Sequence, residues 1–173
     1  MKRLLLLTFL AGSFGLANAQ TEEGGWLVGA TSNLNFTSTK ADGADNSSNH
    51  FGLNAGAGYF VIDNLAAGLN LGFNSFSEGD VSGNSFLIGP FARYYVNGVF
   101  FVGASFSSES GSSENEFTEF DYSRTIFGLE AGYPVWIVDN VAVEPALVYT
   151  SRKSDDFVNS NSFGLNVGFR LYF

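Results

Sequence analysis

The sequence predicts an all-β protein, an eight-stranded antiparallel up-and-down transmembrane β-barrel. Three observations lead there. First, large apolar residues alternate with small or polar ones through eight segments, clearest at the end of the chain. From Asn161 to Phe173, one parity is Phe163, Leu165, Val167, Phe169, Leu171 and Phe173. The other is Ser162, Gly164, Asn166, Gly168, Arg170 and Tyr172. Successive side chains of a strand point to opposite faces, so this segment has one oily and one wet face. Second, the connections alternate in length, with three of about two residues and four long polar ones, as in a meander with two chemically different ends. Third, nearly all charged residues sit before the first strand, in the turns or at the loop ends, and the clear exceptions, Arg93, Glu130, Glu144 and Arg170, fall on the inward parity.

The segments follow one another after residue 25. The first, about Trp26 to Ser38, sets Trp26, Val28, Ala30, Leu34 and Phe36 against Gly29, Thr31, Asn33 and Asn35. A polar loop, Thr39 to Asn49, precedes the second, His50 to Ile62. There Phe51, Leu53, Ala55, Ala57, Tyr59 and Val61 point out, while His50, Gly52, Asn54, Gly56 and Gly58 point in. Asp63-Asn64 makes a tight turn to the third, Leu65 to Phe76. A polar loop is expected from Ser77 to Asn84, then the fourth segment from Ser85 to Val96, with Arg93 inward. Asn97-Gly98 is a strong hairpin signal and leads to the fifth, Val99 to Ser107. A long acidic loop is expected from Ser108 to about Glu116. The sixth segment is expected from about Phe117 to Ile137 with Glu130 inward, and the seventh from Val141 to Ser151 with Glu144 inward. Asp139-Asn140 between them echoes the earlier Asp-Asn turn: IDNLA at 62–66, VDNVA at 138–142. A loop over Arg152 to Ser160 leads to the final strand.

Each segment has about 10 to 13 residues, enough at ~3.3 Å per residue and a tilt near 45° to cross the ~25 Å apolar band of an outer membrane. Lipid offers no hydrogen bonds, so a sheet can cross only if it closes on itself. Glycine, asparagine and serine on the inward faces suit an interior that eight strands leave just wide enough for side chains. Aromatics gather at two levels. Trp26, Tyr59, Tyr94, Tyr133, Trp136 and Tyr172 lie near the short turns or chain ends, and Phe36, Phe51, Phe86, Phe106, Tyr149 and Phe163 flank the long loops. A soluble lipocalin-like ligand-binding barrel is the alternative, but its outer face would be charged, and here the polar parity holds almost no Lys or Glu. The inward charges Arg93, Glu130, Glu144 and Arg170 balance, which suggests a neutral lumen ion network; Glu144 and Arg170, on neighbouring strands at similar distances from the short-turn end, are its expected pair.

Residues 1–19, MKRLLLLTFLAGSFGLANA, read as a signal peptide. Lys2 and Arg3 precede an apolar run of about 13 residues, shorter than the ~20 that span a bilayer, and Ala17-Asn18-Ala19 is a cleavage pattern. The barrel domain is then 20–173. The chain has no Cys, which excludes disulfides and thiolate metal sites. Its formal charge of −9, more negative still once Lys2 and Arg3 leave, argues against nucleic acid as a partner.

The chain resembles the small eight-stranded outer-membrane β-barrel family, OmpA/OmpX-like and opacity-like, over Gln20 to Phe173. The most specific motif is the terminal assembly signal, carried here by Asn166, Gly168, Leu171 and Phe173. The resemblance implies a cell outer membrane of the Gram-negative type, with N-terminus and short turns periplasmic and long loops extracellular. It implies contact with outer-membrane lipid and lipopolysaccharide, insertion by the outer-membrane assembly machinery with Phe173 as the recognised end, and a possible surface ligand held by the loops. No periplasmic peptidoglycan-binding domain is expected. A structural, surface-interaction or narrow-pore role without catalysis fits best. The rival is an outer-membrane lipid-modifying enzyme of acyltransferase or deacylase type. Its one histidine candidate is His50, near Asp42, Asp45, Ser47 and Ser48; a rim histidine in a serine-rich loop is the simpler reading. Glu109, Glu114, Glu116, Glu119 and Asp121 could attract divalent cations, yet their spacing matches no defined metal loop. No cofactor or metal site is expected.

Overall fold

The computed structural model describes residues 21–31, 35–40, 47–79, 81–115, 118–154 and 158–173. Ala17 and Ala19, with the rest of residues 1–20, lie outside the described residues. All regular structure within them is β. The strands are β1 (Trp26–Thr31), β2 (Asn35–Lys40), β3 (Ser47–Ile62), β4 (Leu65–Glu78), β5 (Val81–Val96), β6 (Phe100–Asn115), β7 (Thr118–Gly132), β8 (Val135–Val138), β9 (Val141–Ser154) and β10 (Ser160–Tyr172). β1 and β2 pair with successive stretches of β3, and β7 and β8 with successive stretches of β9, so ten strands make eight passes. The order is β1-β10-β9-β7-β6-β5-β4-β3-β2, every pairing antiparallel, and β1 also pairs with β3. That double pairing closes the ring. Gly29, for instance, lies opposite both Arg170 and Gly56.

Alternation decides which side chains meet lipid. Leu129 and Phe169 are 45% and 51% exposed on the outside, whereas Gly128, Gly168 and Arg170 on the opposite parity are buried. This is the inverse of a soluble barrel, whose oily face would turn inward. Trp26, Tyr59 and Tyr94 are exposed at the short-turn level, and Phe51, Phe73, Phe86, Phe106, Phe127, Tyr149 and Phe163 at the other. The side chain of Phe36 is outside the described residues.

Three expectations are corrected. Tyr172 is only 1% exposed and points into the lumen. Trp136 is half-buried with its ring 4.7 Å from that of Tyr172. Both sit on inward parity, which outweighs their nearness to a membrane boundary. The sixth segment is broken after Gly132, because Pro134 has no N–H for the ladder; pairing resumes in β8 with a bulge between Trp136 and Val138. The polar stretches at Ser77 to Asn84 and Ser108 to Glu116 are mostly strand. β4 and β5 pair as far as Glu78 opposite Val81, with Gly79 at φ 59°. β6 and β7 pair as far as Asn115 opposite Thr118. Antiparallel pairing satisfies these backbones above the membrane as it does within it, so polar composition did not end the strands.

At the short-turn end, residues 21–25 fold across the barrel rim. Thr21 Oγ1 donates to Asn64 Oδ1 at 2.7 Å, the Gly24 N–H to the Phe60 carbonyl at 3.0 Å and the Glu23 N–H to Asp63 Oδ1 at 2.9 Å. Asn64 has φ 66° and Asn97 φ 51°, left-handed values that asparagine tolerates in tight turns.

Candidate functional site

Arg93 and Glu144 enter the lumen from β5 and β9, Glu130 and Arg170 from β7 and β10. Arg93 lies opposite Gly103 and Gly103 opposite Glu130, so the glycine of β6 separates the two charges. A Cβ on Gly103 would stand 2.7 Å from Glu130 Oε1. Its absence lets the Arg93 Nε and Nη2 groups donate to that oxygen at 3.0 and 2.7 Å. Arg93 Nη1 donates to Glu144 Oε2 at 2.5 Å, and Arg170 Nε donates to the same oxygen at 3.0 Å. Arg93 and Glu144 are each 2% exposed and Arg170 5%. Burial this deep is tolerable because the carboxylates are matched with guanidiniums and with further hydrogen bonds.

Those further bonds come from two tyrosines. Tyr172 donates its hydroxyl to Glu144 Oε1, and the Tyr95 and Tyr172 hydroxyls lie 2.9 Å apart. Arg93 Nη1 also donates to Tyr95 Oη at 3.2 Å, and its guanidinium stands 4.1 Å from the Phe101 ring centre. Beneath lies an aromatic floor of Phe60, Tyr95, Phe101 and Tyr172, each no more than 1% exposed, with Leu27 beside it. The ring centres of Phe60 and Tyr95, and of Tyr95 and Phe101, are 5.7 Å apart. The four inward charges thus form one cluster, and the Glu144–Arg170 contact is direct. The sequence reading gave neither tyrosine a part in the ion network and set Tyr172 at a membrane boundary, although the pattern Arg-x-Tyr at 93–95 and 170–172 carried the signal: residues two apart on a strand share a face.

A second ion pair lies further along the lumen. Arg124 Nε is 3.3 Å from Glu109 Oε2, directly across β6 and β7, and the Arg124 guanidinium lies over the Tyr122 ring. Glu109 is therefore a buried strand residue and not part of a solvated loop. Glu114 and Asp121 are exposed; Glu116 and the side chain of Glu119 lie outside the described residues. Among the described residues no group of three potential ligands could hold a metal ion. His50 is exposed at the rim, paired with Thr37 and Phe76. Asp42, Asp45 and the side chains of Ser47 and Ser48 lie outside the described residues.

Between the ion cluster and the wide end is a cavity of about 180 Å³, lined by Asn54, Asn70, Ser105, Glu130, Asn166 and Arg170 among others. Of the terminal motif, Asn166 lines this cavity, Gly168 is buried, Leu171 is half-buried and Phe173 is exposed. Phe173 exchanges two backbone hydrogen bonds with Trp26, each 2.9 Å, so the last residue seals the ring.

Comparison with known proteins places this geometry. A family model described as outer membrane protein beta-barrel domain matches residues 4–170. The N-terminal β-barrel domain of Pseudomonas aeruginosa OprF is similar in structure, with TM-score 0.56 and 15% identity over 87% of this chain and 98% of that one. Neisserial surface protein A has TM-score 0.54 and 18% identity over 86% and 94%. Ail, the attachment invasion locus protein of Yersinia pestis, has TM-score 0.51 and 16% identity over 86% and 99%. No relative among curated proteins matches the chain by sequence. The chain belongs to the outer membrane protein β-barrel domain family and is an integral protein of the outer membrane.

Proposed function

We propose that this protein is a structural and surface-interaction barrel whose lumen is closed to solute flow and which carries out no catalysis. The supporting observation is the double seal at the short-turn end. Arg93, Glu144, Tyr95, Tyr172, Phe60, Phe101 and Leu27 are all almost completely buried, and a conducting path would have to break their mutual contacts. The short turns and residues 21–25 then face the periplasm, and the β4–β5 and β6–β7 hairpins project outside the cell. With the lumen blocked, the surface available to a partner is that projecting end. In the same reading Asn166, Gly168, Leu171 and Phe173 are the strand that the assembly machinery engages, and cleavage after Ala19 releases the barrel domain.

Planar-bilayer recording of the refolded full chain tests this. The expected record shows no discrete conductance steps above the lipid baseline. Stable steps in the unmodified protein would overturn the closed-lumen reading and favour a narrow pore.

A further inference from the structure

The echo between the two Asp-Asn turns extends through the barrel. FGLNAG at 51–56 matches FGLEAG at 127–132, with the same 76-residue offset that relates Asp63-Asn64 to Asp139-Asn140. Both turns carry a bulge at the same place, between Phe60 and Ile62 and between Trp136 and Val138. The Asn64 carbonyl accepts from the Tyr95 N–H at 2.8 Å, and the Asn140 carbonyl from the Tyr172 N–H at 2.9 Å. Arg93 therefore corresponds to Arg170, and Gly103, opposite Arg93, to Gly29, opposite Arg170. The two halves meet where the tyrosine hydroxyls touch.

The correspondence fails at the acids. By the sequence offset Asn54 stands where the other half has Glu130, and Gly68 where it has Glu144; by register the residue across Gly29 from Arg170, as Glu130 is across Gly103 from Arg93, is Gly56. Arg93 consequently has two carboxylates, while Arg170 only shares Glu144. Arg170 crosses Gly29 toward Gly56: Nη1 lies 3.7 Å from where a Gly56 Cβ would be, and Asn70 Oδ1 2.7 Å from that same point. Arg170 bonds through Nε; its two terminal nitrogens make no hydrogen bond among the described residues, and the side chain lines the cavity with Asn54, Asn70 and Asn166. The space, about 180 Å³, far exceeds the ~10–15 Å³ a single water requires.

We propose that this cavity binds a small carboxylate anion, of formate or acetate size, against the terminal nitrogens of Arg170. The anion occupies the position that Glu130 fills beside Arg93. Guanidinium and carboxylate match in shape and charge, and their hydrogen bonds are about twice as strong as neutral ones. Asn70 presents its Oδ1 to this recess, and a half-turn of the amide brings its NH2 donors to the anion's remaining lone pairs. Glu130, on the cavity's other wall, opposes a second anion and limits the site to one.

Carbon-13 formate resonances, recorded with the refolded full-length barrel in phospholipid nanodiscs, test the proposal, with formamide as the uncharged probe of similar shape. Asn70→Asp places a carboxylate of the chain in the same recess, and Asn54→Asp is the second variant should the first fail to show heat-modifiable migration. The expected result is saturable broadening of formate but not of formamide, weakened about tenfold or more in the aspartate variant, as tethered carboxylate displaces free. Absence of broadening, equal broadening of formamide, or unchanged formate binding in the folded aspartate variant would overturn the site. A conducting lumen would appear in bilayer recordings and would leave this displacement test intact.

Discussion

Glu144→Ala removes the acceptor on which the lumen cluster converges. Oε2 takes Arg93 Nη1 at 2.5 Å and Arg170 Nε at 3.0 Å, and Oε1 takes the Tyr172 hydroxyl. Arg93 keeps Glu130 after the substitution, but Arg170 loses its one carboxylate partner among the described residues. Breaking a buried pair by deleting one member costs about 3–5 kcal/mol, because the other charge stays buried without compensation. The lost tyrosine bond belongs to the same network and does not add in full. The assay is urea unfolding of the barrel refolded in bilayers, followed by tryptophan fluorescence, since Trp136 packs on Tyr172. A loss of about 3–5 kcal/mol is expected. Glu130→Ala should cost less, since its side chain is 26% exposed and Arg93 retains Glu144. Joint replacement of Glu144 and Arg170 by methionine should recover much of the loss, because a well-packed apolar pair carries no desolvation penalty. A Glu144→Ala protein within about 0.5 kcal/mol of the parent, the range of ordinary surface changes, would refute the view that this carboxylate holds the seal together.

Other expectations follow from the same geometry. Leu129→Arg puts a charge on the lipid face and should cost about 2–4 kcal/mol in bilayer refolding, whereas the same unfolding assay on a soluble barrel would register far less. Gly68→Ala should fail to give heat-modifiable barrel, because the new Cβ would stand 2.1 Å from the Ala57 carbonyl oxygen; Gly164→Ala, with nothing within 4 Å, should migrate and unfold like the parent. His50→Ala should leave barrel stability within about 0.5 kcal/mol and outer-membrane lipid composition unchanged by mass spectrometry.

Much of this was legible in the order of residues alone. Strand side chains alternate strictly, so Phe163 to Phe173 and Phe51 to Val61 declared a lipid face and a lumen face without reference to any partner strand. Parity also set Arg93, Glu130, Glu144 and Arg170 inside, and closure followed because lipid leaves no other way to satisfy the backbone. Where position was weighed above parity, as for Tyr172 and Trp136, the reading failed. Where polar composition was taken to end a strand, as at Ser108 to Asn115, it failed again, since pairing and not hydrophobicity holds a ladder above the membrane. Register was beyond the sequence. Only the folded ring brings Gly103 between Arg93 and Glu130, joins Tyr95 to Tyr172 from opposite halves, and leaves Arg170 facing a cavity where its counterpart faces an acid. Those contacts link residues on non-adjacent strands, and their distances depend on strand tilt and stagger, which no single segment encodes.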